Sequence, residues 1–328
     1  MYSTSTAPPL PPVLGPVGWL GRSALGITSY VGGVTLLAMA ALRSVLWPRR
    51  RDEPDAPGFL KTLMHQLFWM LVTGLPLVGL VHIFIGSFLS LQAYYGSTFV
   101  DGTGAVVGVG LLRNMGGTMT GLIFSGILSA RMIPELRILS RYLSSHASSS
   151  NRPDASLRRG REDTDPDTAR VSPSIAPGRL AAPRIAAASI ACLLLSQWGI
   201  TVGTVVGWQA SQSMMGVPTA TFFMMMIKMM WFRDIVGLVF KGLMFGALPA
   251  TICCYEGLVT RETEDEPAGD GISASHPAHG LAPPWYNSVF RAACLSFMAI
   301  LFMSSSWFVL VYHAVPFYGP TLLAPPGL

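Results

Sequence analysis

Residues 62–100, TLMHQLFWMLVTGLPLVGLVHIFIGSFLSLQAYYGSTFV, run without a single Asp, Glu, Lys or Arg. A helix needs about 20 apolar residues to cross the hydrocarbon of a bilayer, so this run can span with length to spare. Residues 185–227 and 292–328 are equally free of charge. Over all 328 residues only 12% are charged and 51% are hydrophobic, whereas a soluble domain carries roughly 25% charged residues. A water-soluble globule is thereby excluded, and a multi-spanning all-α membrane protein is the expected fold class.

The remaining segments are placed by composition. Residues 1–16 are Ser/Thr/Pro-rich, carry no Lys or Arg before Arg22, and read as a disordered lead rather than a signal peptide. Residues 17–60 hold a helix and a basic linker. The uncharged stretch between Arg22 and Arg43 is long enough to span but diluted by Gly26, Gly32 and Gly33, so the residues alone leave span and interfacial helix open. Residues 61–136 carry the first two expected spans. His65–Tyr95 has Gly74 and Pro76 as bend points and Tyr94 and Tyr95 as an interfacial anchor; Ala105–Leu136 is Gly-rich.

Residues 137–184 hold nine arginines against five acids, which marks a cytoplasmic loop, and Ser144–Asp167 within it is expected to be disordered. Residues 185–259 give spans three and four, Ile185–Trp208 and Asp234–Leu258, with the Met-rich Phe222–Trp231 at the interface between them. Residues 260–284 form a flexible acidic loop, and 285–328 hold span five, Trp285–Tyr312, with an uncharged tail. With the amino end inside, span parity and arginine bias agree.

The chemistry expected of an enzyme is missing from the pattern. No G-x-x-x-x-G-K-[ST], G-x-S-x-G or H-E-x-x-H occurs, so no catalytic, metal or cofactor residues are assigned and no nucleic-acid partner is indicated. Cys192, Cys253, Cys254 and Cys294 lack metal-ligand spacing and read as packing residues. The notable groups are ionisable ones in or beside the spans: Arg113, Arg131, Glu135, Lys228, Arg233, Asp234 and Lys241. Charge in hydrocarbon is costly, so such groups face a bundle interior, a wet cavity or one another. Arg131 and Glu135, four apart, are expected to pair at the cytoplasmic rim, and Lys228 and Arg233 to snorkel to the headgroups. For the deeper Arg113 and Lys241, a functional cavity and structural anchoring stand level.

Several runs bear a family likeness. Gly86-Ser87-Phe88-Leu89-Ser90-Leu91-Gln92-Ala93-Tyr94, Leu111-Leu112-Arg113-Asn114-Met115-Gly116-Gly117, Phe124-Ser125-Gly126 and Glu135-Leu136 resemble G-x-x-L-G-L-Q-x-Y, L-L-R-E-L-G-P, A-G-R-x-G and A-E-[LI]-G of the MlaE/YrbE-type permeases of MCE-associated ABC transporters. Val171-Ser172-Pro173, Leu180 to Arg184, Asp234-Ile235, Lys241-Gly242, Phe245-Gly246 and Cys254 to Leu258 continue the likeness in order over about residues 20–310.

The resemblance implies an amino-terminal interfacial helix plus five transmembrane helices. It also implies a homodimer in the bacterial inner membrane, a separate cytoplasmic ABC ATPase that binds ATP, and an MCE-domain lipid-binding protein outside. The cargo it implies is membrane phospholipid or a related amphiphile. Carried over residue by residue, the lipid site would comprise Arg113, Asn114, Met115, Lys241, Leu89 and Tyr94, with Arg131, Glu135 and Asp234 structural at the rim. Arg113 and Lys241 would meet a headgroup inside a chamber. The chain departs from the pattern at Asn114 and Gly117, where the family has Glu and Pro, at Ile127 in place of an Arg, and in the Ser/Arg-rich loop that replaces the ATPase-coupling helix. A non-transporting scaffold of the same complex is the alternative reading, and a membrane-embedded lipid enzyme a third.

Overall fold

The computed structural model of the chain describes residues 14–46, 58–96, 103–150, 177–259 and 284–314. Seven α-helices make up most of these: α1 Leu14–Leu46, α2 Phe59–Gly96, α3 Gly116–Ser150, α4 Pro177–Met215, α5 Thr219–Met229, α6 Phe232–Val259 and α7 Pro284–Phe308. Wide π-helical turns occupy Ala105–Val109 and Leu111–Met115 ahead of α3, and Val309–Ala314 after α7. The expected all-α architecture is what the structure shows. The disordered lead, the middle of the cytoplasmic loop, the acidic loop and the tail fall wholly or largely outside the described residues.

Length follows from composition. The 38 residues of α2 reach about 57 Å at 1.5 Å each, well beyond the ~30 Å of bilayer hydrocarbon. Five stretches are long and apolar enough to cross: Ala24–Val45, Phe59–Gly96, Pro177–Met215, Phe232–Leu258 and Asn287–Val311. The first belongs to α1, which therefore has the dimensions of a span as well as of an interfacial helix. The expected span Ala105–Leu136 is built differently, from the two π-helical turns and the first part of α3, and it is mostly buried by its neighbours. At its far end α3 continues to Ser150, into residues expected to be disordered.

The bundle is organised around α4, which packs along α2, against α6 and under α1; α3 packs on α6 and α7. In lipid, helices gain little from excluding water and associate through close packing of small residues. The seam between α2 and α4 shows this: a Cβ on Gly86 would collide with the carbonyl oxygen of Gly203, and one on Gly199 with the ring of His82. Ser90 Oγ and Ser211 Oγ share a buried hydrogen bond of 2.8 Å on the same seam. The imidazole of His82 lies within hydrogen-bonding distance of Val78 O (2.8 Å) and Gly116 O (3.3 Å), tying α2 to the start of α3.

The main apolar core joins Phe124, Leu128 and Met132 of α3 to Leu195 of α4 and Phe245 of α6, with Cys192, Cys253 and Cys254 inside it; Cys294 is exposed. Outward-facing Phe68, Phe84, Phe88, Met298 and Phe302 give an apolar exterior suited to acyl chains. Gly86→Val is expected to lower the thermal unfolding midpoint in detergent, since overpacking a close seam costs about 1–3 kcal/mol. Gly126→Ala, whose Cβ would meet nothing within 4 Å, is the control and should leave the midpoint unchanged or slightly raised.

Candidate functional site

The most unusual backbone in the chain leads to Arg113. Two π-helical turns in succession, Ala105–Val109 and Leu111–Met115, are joined through Gly110. Such turns are rare and widen the helix locally. Glycine permits them to sit tightly: a Cβ on Gly104 would strike the carbonyl of Phe222, and one on Gly108 the side chain of Met226. The wide turns are thus wedged under α5, within a second apolar cluster containing Leu89, Val107, Leu111, Ile200 and Phe222.

Arg113 then bridges two other elements. Its Nε donates to Asp234 Oδ1 at 3.0 Å, and its Nη2 donates to Met229 O at 3.0 Å, a carbonyl in the last turn of α5 that has no partner within the helix. Asp234 lies in the first turn of α6, where the helix dipole favours an anion. Its other oxygen, Oδ2, accepts the Trp231 N–H at 2.9 Å, and its own N–H donates to Trp231 O at 2.9 Å. Lys241 is seven residues further on, two turns along the same face of α6. Its Nζ donates to Arg113 O at 2.7 Å, so α6 grips Arg113 by side chain and by backbone. Two cations face one carboxylate in this cluster.

Asn114 and Met115 follow on the exposed side of the turn. Asn114 Oδ1 accepts from Ser304 Oγ of α7 at 3.3 Å, and Ser304 Oγ also lies 2.9 Å from Thr118 Oγ1. Arg113, Asn114 and Met115 therefore form an outward edge backed by Asp234 and Lys241. Leu89 is buried behind them in the second cluster. Tyr94 lies apart at the end of α2, in edge contact with Tyr95 at 4.9 Å.

Three of these residues have partners within the protein. Lys241 is only 3% exposed and its ammonium donates to the backbone carbonyl of Arg113, so it anchors the turn. Arg113 keeps 30% of its side chain accessible but likewise has a fixed carboxylate partner. A waiting headgroup is therefore not needed to explain either cation. Asp234, assigned only a rim role, is the counter-ion of Arg113; the signal was its spacing of seven from Lys241.

The expected Arg131–Glu135 pair does not form either. Glu135 Oε1 accepts from Arg184 Nη2 (2.8 Å) and Gln66 Nε2 (2.7 Å), while Arg131 stacks over the Trp69 ring at 4.4 Å. Arg184 is buried and Arg131 is not, and a buried guanidinium gains more from the carboxylate. Lys228 is exposed, and Arg233 lies over the Trp231 ring at 4.3 Å. A further ion pair that sequence reasoning missed joins α6 to α7: Arg291 donates from Nε and Nη2 to the carboxylate of the buried Glu256.

Among the described residues no group of three or more His, Cys, Asp or Glu is placed to hold a metal ion. Comparison with known proteins places the chain. The family model described as Permease MlaE matches residues 63–138 and 167–274, which include Arg113, Asp234 and Lys241. Probable ABC transporter permease proteins of Rickettsia typhi and Rickettsia prowazekii are each 24% identical over 242 residues, covering 73% of this chain and 82% of theirs. One from Rickettsia conorii is 23% identical over 244 residues, with the same coverage. With more than half of its length matched by the family model and its helices arranged as described, the chain belongs to the MlaE permease family.

Proposed function

We propose that the chain is the permease subunit of an ABC transporter that moves phospholipid or a related amphiphile between the bacterial inner membrane and a periplasmic MCE partner. It would act as a homodimer, with ATP hydrolysed on a separate cytoplasmic ATPase subunit. The family match and the names of the rickettsial relatives support the ABC permease part. The observation that carries the lipid part is the outward edge Arg113-Asn114-Met115: a partly exposed cation beside exposed apolar surface, which suits a ligand with an anionic head and apolar tails.

In this reading Arg113 offers positive potential to the phosphate while Met115 and its apolar neighbours solvate the chains. Asp234 and Lys241 are positioning residues that hold the wide turn from behind. ATP-driven movement of the partner ATPase shifts the dimer between states that accept and release lipid, which requires only that lipid bind the two states with different affinity.

Purification of the full chain from native membranes in mild detergent tests the assignment. The expected result is co-purification of an ATPase subunit and retention of phospholipid detectable by mass spectrometry of the extract. Recovery of the chain with its membrane partners but without any ATPase would favour the scaffold reading instead.

A further inference from the structure

A second polar site lies at the opposite end of α3, on the rim that carries the arginine-rich 137–184 segment. Besides Arg43 and Arg179, four described arginines lie on this rim. Arg184 meets Glu135 and Arg291 meets Glu256, and Arg137 Nη2 donates to Ser288 Oγ at 2.6 Å. The fourth, Arg131, is exposed and lies over an indole, its guanidinium carbon 4.4 Å from the Trp69 ring centroid. Among the described residues no carboxylate lies within ion-pair distance of it.

The platform beneath Arg131 is fixed. Trp69 is buried, and its Nε1 donates to Gln66 Oε1 at 2.6 Å. Gln66 Nε2 donates to Glu135 Oε1, which also accepts from Arg184 Nη2; Arg184 Nη1 in turn donates to Leu180 O at 2.9 Å. One continuous chain of hydrogen bonds through α2, α3 and α4 therefore holds the indole, and the indole holds the guanidinium. A guanidinium held over an aromatic face uses none of its N–H donors in that contact and keeps them for a phosphate, which an arginine can grip through two hydrogen bonds. On α2, Phe68 and Val72 are exposed on either side of Trp69 in sequence and present apolar surface at the same depth.

We infer that Arg131 on Trp69 binds the phosphate of an anionic glycerophospholipid in the cytoplasmic leaflet, a site separate from the Arg113 edge. The net charge of the ligand decides its selectivity. A zwitterionic headgroup brings its own cation to the phosphate, whereas an anionic one leaves the guanidinium as the main counter-ion. The site holds a lipid of the surrounding bilayer against the junction of α2, α3 and α4, whether or not the chain transports lipid.

The test compares the full chain in nanodiscs of phosphatidylglycerol and of phosphatidylcholine, by thermal unfolding and by native mass spectrometry of retained lipid. Wild type should unfold at a higher temperature and retain more lipid in phosphatidylglycerol. Arg131→Gln should weaken the preference for the anionic lipid about tenfold, the expected loss from removing a charge-assisted hydrogen bond. Arg131→Lys should keep part of the preference, and Trp69→Phe, which retains a ring but loses the tie to Gln66, should lie between. An Arg131→Gln variant that folds in phosphatidylcholine and keeps the whole preference would overturn the inference. So would reproduction of the wild-type effect by inorganic phosphate in phosphatidylcholine discs, which would make the ligand a free anion.

Discussion

Arg113→Leu is expected to destabilise the folded chain by about 3–5 kcal/mol, because it leaves the carboxylate of Asp234 without its guanidinium in a buried site. Asp234 is 1% exposed, so its carboxylate depends on donors from the protein. The Trp231 N–H and the neighbouring Lys241 remain, which should keep the loss toward the lower end of that range. Asp234→Leu removes the anion and leaves a cation that is 30% accessible; it should cost less. Replacing both with leucine should recover part of the loss, since an apolar pair of similar volume avoids desolvating two charges. A double-mutant cycle on thermal unfolding in nanodiscs measures the coupling, and a cycle that closes with no interaction energy would remove the pair from the account.

The second large effect is expected at Glu135. Alanine there strips Arg184, a buried arginine, of its carboxylate and Gln66 of its acceptor in one step. The loss should again be about 3–5 kcal/mol. Glu135→Gln keeps an oxygen able to accept from Arg184 and should cost less, about 1–3 kcal/mol. In phosphatidylcholine nanodiscs Arg131→Ala, which removes the residue expected from spacing to pair with Glu135, should move the midpoint little because its tie is to the ring of Trp69. If Arg131→Ala proved as damaging as Glu135→Ala, the local pair would be the real one.

These two clusters also show where the sequence is legible. Helices α2, α4 and α7 could be read directly, because in lipid a long uncharged run has no alternative to an internally hydrogen-bonded helix. The family likeness at Leu111 to Gly117 falls on the wide turn that carries Arg113. The π-helical widening was not legible. An i to i+5 ladder has no side-chain period that separates it from an α-helix over five residues, and only the density of glycines at 104, 108, 110 and 116 hints at it.

Pairing was harder still. Asp234 and Arg113 are 121 residues apart, and judging each charge by its own depth could not bring them together, although Asp234 and Lys241 share a face of α6. At the rim, spacing of four made Arg131 and Glu135 look sufficient. The competitor, Arg184, comes from another helix and prevails by being buried. Placing a cation within an apolar segment was therefore sound evidence of a partner, but the partner visible in the fold is the protein itself. The case for lipid rests on the exposed residues next to those cations.

Met115 tests that case most directly, because it is exposed on the edge and carries none of the polar contacts that hold the turn. Proteoliposomes containing the chain with the ATPase and MCE subunits proposed for it would be assayed for ATP-dependent transfer of labelled phospholipid, with wild type and Met115→Trp compared at equal unfolding midpoint. The account predicts ATP-dependent transfer by wild type and its loss, with ATP hydrolysis retained, when the indole blocks the edge. Transfer undiminished in Met115→Trp would contradict the claim that lipid passes over Arg113, Asn114 and Met115.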